Sequence, residues 1–103
     1  SESSVQNMLK LYLLGAHQEV LSEVHEAKGR ADLVVNTDNK RIVFEFKYAE
    51  NETEAKSKLS EAVEQIKSRD YGNILPKKNE LLRIAAVFNA DPKVRAFTEY
   101  QEV

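Results

Sequence analysis

The chain contains no cysteine, which excludes a disulfide framework, a thiolate nucleophile and a cysteine-based zinc site. Histidine is nearly absent too: His17 and His25 are the only two, too few to close a zinc site by themselves. No apolar run approaches the roughly 20 residues that would cross a bilayer. The opening SESSVQNMLK lacks the basic start, apolar centre and small-residue cleavage site of a secretory signal. A cytoplasmic protein with no membrane attachment is therefore the expectation. Nor is there an excess of positive charge, since 15 Lys and Arg stand against 17 Asp and Glu, a net charge of −2. That balance excludes a strongly basic nucleic-acid arm but leaves room for a local basic groove. A Gly-rich phosphate loop, a serine nucleophile elbow and a heptad array are missing as well.

What remains is an ordinary globular composition, 42% hydrophobic and 31% charged over 103 residues, enough for one compact domain. No repeat, linker or low-complexity tract divides it, so residues 1–103 are read as a single domain. A domain of this size buries only about 60–70% of its extended-chain surface. Removal from a longer parent chain, or packing against a second copy as a homodimer, would account for so small a core.

Val5, Met8, Leu9, Tyr12 and Leu13 recur at three- and four-residue steps and predict an amphipathic helix over residues 5–14. A short strand follows at 20–25. Residues 31–36 and 41–47 are β-branched and apolar runs on either side of Thr37-Asp38-Asn39-Lys40, the pattern of a β-hairpin. Alternation along the second run places Ile42, Phe44 and Phe46 on one face, with the two phenylalanines expected in the core. Arg41, Val43, Glu45 and Lys47 fall on the other. Asn51 or Thr53 caps a second helix ending near Asp70, with Glu54 placed for a capping box and an apolar stripe of Ala55, Leu59, Ala62, Val63 and Ile66. The near-continuous apolar run at 81–90 predicts a strand covered on both faces. A last edge strand is expected within 94–103.

The hairpin carries the chemistry. With a two- or four-residue loop centred on Asp38-Asn39, Asp32 falls directly opposite Glu45, whereas a three-residue loop would shift the pairing. Opposed side chains have Cβ atoms about 4.5–5.5 Å apart, and like charges there repel. Lys47 shares their face. A bound Mg²⁺ would explain two carboxylates in this position, because it favours carboxylate oxygens while keeping several waters. It would lower the pKa of a bound water and neutralise charge building on a phosphate oxygen. Lys47 would orient or deprotonate that water, or stabilise the transition state, and Glu23 on the preceding strand is a candidate third carboxylate. The plainer alternative is a solvated strand face on which Lys47 neutralises the carboxylates.

Ser22-Glu23, Gly29-Arg30-Ala31-Asp32, Glu45-Phe46-Lys47, Ala62-Val63-Glu64-Gln65-Ile66 and Tyr71 follow one another in that order, with twelve residues between Asp32 and Glu45. This series resembles the PD-(D/E)XK nuclease superfamily, and within it a branch often found after an AAA-ATPase-like domain. Ala31 stands where the superfamily's name has proline. The resemblance implies a restriction-endonuclease-like α-β-β-β-α-β core with a mixed sheet flanked by helices. It also implies a phosphodiesterase site dependent on Mg²⁺ or Mn²⁺ and acting on nucleic acid, with DNA the expected polymer. Asp32 and Glu45 would be metal ligands, Glu23 an auxiliary acid and ligand, Lys47 the catalytic lysine and Gln65 a further catalytic group. Arg30, Lys58, Arg69 and Tyr71 are candidate nucleic-acid contacts. The rival expectations are a catalytically silent domain of the same fold, serving binding or assembly in a larger ATPase protein, and a protein-interaction module.

Overall fold

The computed structural model describes residues 19–26, 29–36, 38–73 and 77–103, with side chains from Asp32 onward. Strands and helix follow in the order β1 (Glu19–Glu26), β2 (Gly29–Asn36), β3 (Lys40–Ala49), α1 (Glu52–Arg69), β4 (Glu80–Asn89) and β5 (Ala96–Glu102). The five strands form one sheet in chain order. β1, β2 and β3 are joined antiparallel, β3 and β4 run parallel, and β5 returns antiparallel to β4. Parallel neighbours need a crossover, and α1 makes it between β3 and β4. The expected last strand is present as β5. The helix expected over 5–14 lies outside the described residues.

α1 begins where its sequence provides a partner for its free N–H groups. Asn51 is extended (φ −157°) and its side chain accepts the Glu54 N–H at 2.8 Å. Glu52 and Glu54 in the first turn and Lys67 and Arg69 in the last complement the helix dipole. The helix stops at Asp70, which adopts the left-handed conformation (φ 48°) and donates its N–H to the Ile66 carbonyl. Arg83 on β4 holds the Asp70 carboxylate at 2.9 Å. Gly72 follows at φ 85°, and a Cβ there would lie 2.5 Å from Val43 Cγ2, so the turn brings backbone against β3 where no other residue fits.

Strand alternation then decides what α1 covers. Val34 and Val43 pair across the hairpin and face α1 with Ala85 of β4, packing on Ala62, Val63, Ile66 and Tyr71. The opposite face carries Leu33, Phe46 and Ala86, with Phe44 and Phe97 packed against them. Phe44 and Phe46 stack at 5.5 Å between centroids. Phe46 is buried, whereas Phe44 is only half-buried, so of the two phenylalanines expected in the core one lies at its margin. The larger helix–sheet core is on the Val43 face, the face that alternation assigns to Glu45 and Lys47. Buried Arg41 closes the far end of this layer, donating to Asn36 Oδ1 at 2.9 Å and to the Gly72 carbonyl at 3.1 Å. Among the described residues no helix is long and apolar enough to cross a membrane.

Candidate active site

The hairpin register is the one that the turn residues predict: Asn36 pairs with Arg41, Val35 with Ile42, Val34 with Val43 and Leu33 with Phe44. Asp32 is next along β2. There the Asp32 carboxylate meets β3, its Oδ2 accepting the Phe46 N–H at 2.9 Å. This bond brings a carboxylate against the strand one residue from Glu45. On the other side of β2, the pairs Ser22↔Leu33 and Val24↔Ala31 leave Glu23 opposite Asp32. Continued by one step, the two registers set positions 23, 32 and 45 beside one another across three adjacent strands. The side chains of Glu23 and Arg30 lie outside the described residues.

Glu45 is 2% exposed, beneath the layer formed by α1. A solvated strand face would leave it in water, so the plainer alternative for this residue does not hold. Burying a carboxylate costs several kcal/mol unless charge and hydrogen bonds offset it. Lys47 supplies part of that offset, with Nζ 3.7 Å from Glu45 Oε1. The same ammonium donates to Gln65 Oε1 at 3.1 Å, so α1 reaches the site through one side chain. Gln65 Nε2 in turn donates to the Tyr71 hydroxyl at 3.2 Å, and Arg69 Nη1 donates to the same oxygen at 3.1 Å.

Tyr71 and Arg69 therefore stand behind Gln65. Tyr71 is fully buried, which leaves it no surface for nucleic acid, and its expected role as a contact is corrected to one of packing and hydrogen bonding. Arg69 is exposed but directs Nη1 at that hydroxyl. Lys58 is partly exposed on α1 and pairs with Glu61 at 3.2 Å. The four-residue step from Gln65 to Arg69 is visible in the sequence. The return of Tyr71 towards Gln65 depends on the left-handed turn at Asp70 and is not.

One family profile, that of the PD-(D/E)XK nuclease superfamily, matches residues 1–98. The chain belongs to this superfamily. No curated protein and no solved structure matches it. The mixed sheet with α1 on one face is the α/β, restriction-endonuclease-like core of a PD-(D/E)XK protein. Such nucleases typically use divalent metals. Among the described residues no three His, Cys, Asp or Glu side chains come together as a metal-binding group. Asp32 and Glu45 nevertheless have the right donor chemistry, since Mg²⁺ is commonly held by one or two carboxylates with waters completing its shell.

Proposed function

We propose that the chain is a metal-dependent nuclease domain that hydrolyses phosphodiester bonds in nucleic acid, with DNA as the substrate. The reading rests on one observation above all: a buried Glu45 beside a Lys47 ammonium that is itself held by Gln65. A buried acid next to a fixed cation is poor surface design but suits charge stabilisation in a partly water-excluded site. Asp32 and Glu45, with Glu23 as the auxiliary carboxylate, would hold Mg²⁺ or Mn²⁺. The ion when bound supplies Lewis-acid charge neutralisation and a more acidic water.

The residues divide the work. Glu45 and Asp32 bind and orient through their carboxylate oxygens. Lys47 faces the phosphate with an ammonium able to donate three hydrogen bonds, one of them taken by Gln65. It stabilises the negative charge that grows on the phosphoryl oxygens or orients the attacking water. α1 and the Val43 layer limit water on one side of Glu45, which strengthens each of these interactions. Arg30, Lys58 and Arg69 are the candidate phosphate contacts. An ATPase-like domain in the parent chain, as the resemblance implies, would add others.

The test is cleavage of a duplex or single-stranded oligonucleotide in millimolar Mg²⁺ or Mn²⁺, with chelator as control. Wild type is expected to cut and Lys47→Ala to lose cleavage. If Lys47→Ala cuts at the wild-type rate, the nuclease site is not here. A folded protein that binds nucleic acid but never cuts, alone or in its parent chain, would favour the silent-domain alternative.

A further inference from the structure

The Gln65 amide is constrained from both ends. A lysine ammonium has donors and no acceptor, so the atom that Gln65 turns to Lys47 has to be its oxygen, 3.1 Å away. Its NH₂ group must then look the other way, where it meets the Tyr71 hydroxyl at 3.2 Å. The Tyr71 ring is fully buried among Val34, Val43, Ile66 and Ala85, which makes that hydroxyl a fixed point of the core rather than a mobile surface group. Arg69 donates to the same oxygen at 3.1 Å. It is the Lys47 ammonium that sets which way the amide lies, since it can only be met by the Gln65 oxygen, and the Tyr71 hydroxyl then holds the amide from its NH₂ end.

We infer that Tyr71, assisted by Arg69, is a positioning residue for Lys47. The buried hydroxyl anchors the Gln65 amide in place, and the amide holds the ammonium beside Glu45. The inference rests on the nuclease reading in so far as Lys47 acts on the substrate. Neither Tyr71 nor Arg69 needs to touch nucleic acid. A lysine has a long flexible stem with a large rotamer entropy, and a rigid acceptor at its tip removes part of that freedom before the substrate arrives. Groups that orient a catalytic centre from behind typically cost about 10–100-fold when removed.

Tyr71→Phe keeps the ring and deletes only the hydroxyl. With the assay above, kcat is expected to fall roughly 10-fold or more while KM stays within about twofold and the fold remains intact. In a Gln65→Ala background the same change should cost nothing further, because Tyr71 acts through Gln65. Arg69→Leu, at an exposed position, leaves the core undisturbed and should lower kcat through the lost bond to Tyr71, while any phosphate contact it makes shows separately as a raised KM. A second readout needs no catalysis. The Gln65 side-chain NH₂ and Lys47 Cε signals in NMR spectra should both move in Tyr71→Phe. Unmoved signals, or a double variant whose losses simply multiply, overturn the inference. If the signals move while Lys47→Ala still cuts at the wild-type rate, the positioning chain stands and the nuclease reading falls.

Discussion

Two residues of β3 separate a binding role from a chemical one. On the proposed reading Glu45 would hold the ion and Lys47 would act on the substrate, so Lys47→Ala should abolish cleavage while metal-dependent stabilisation of the protein persists. Asp32→Asn separates the roles from the other side. The variant keeps an oxygen to accept the Phe46 N–H but loses a charge near Glu45, a neighbour it would repel. In chelator its melting temperature should equal or slightly exceed that of wild type. In millimolar Mg²⁺ the wild type should gain stability by mass action and the variant much less. Equal gains in the two proteins would show that no divalent ion is held at this pair.

At the scale of the element, α1 is the part that turns a strand pattern into a site, because it covers Glu45 and delivers Gln65. Its ends should be measurably important. Asn51→Ala removes the acceptor of the Glu54 N–H and should cost about 1 kcal/mol in denaturant unfolding. Ile66 is fully buried between helix and sheet, and Ile66→Ala should cost roughly 2–5 kcal/mol. Gly72→Ala should also destabilise, since it puts a methyl into Val43 and Leu81 at a positive φ. If Gly72→Ala matched wild type in stability, the close approach of this turn to β3 would be wrong. β3 shows a related contrast: Phe46→Ala should cost about 3–5 kcal/mol and Phe44→Ala, half-buried, distinctly less.

For the whole molecule, the charge balance sets how nucleic acid can be bound. A net charge of −2 supplies no general attraction, so affinity must come from a few local cations. With Arg30, Lys58 and Arg69 as contacts, the log–log slope of affinity against salt should be shallow, no steeper than about −3. An affinity independent of salt would exclude phosphate contacts and favour a protein-interaction module. The sheet buries side chains on both faces, under α1 on one and within an aromatic cluster of Phe44, Phe46, Phe88 and Phe97 on the other. The apolar run of β4 serves both, with Ala85 and Val87 on the helix side and Ala86 on the other.

The local features were legible from residue order. Asp38-Asn39 between two alternating runs predicted the hairpin register for a two- or four-residue loop, and the structure has the four-residue one, with Asn36 paired to Arg41. The caps of α1 are written in Asn51, Glu54 and the basic last turn, since a helix terminus is a problem solved within a few residues. The expected grouping of Asp32, Glu45 and Lys47 came from the same local reading, whereas Gln65 entered through the family resemblance. Three things came from neither. Alternation says that Glu45 and Phe46 face opposite ways, but not which side a helix will cover, and β3 carries buriable side chains on both. The burial of Glu45 was therefore settled only when α1 packed on Val43. Asp32 turns its carboxylate to the Phe46 backbone N–H, a side-chain to main-chain contact that alternation along the strand does not specify. Tyr71 enters the core behind Gln65 only because Asp70 and Gly72 reverse the chain at positive φ. Periodicity encodes the faces of an element. Which faces meet, and which polar groups they enclose, is decided by packing between segments far apart in the chain.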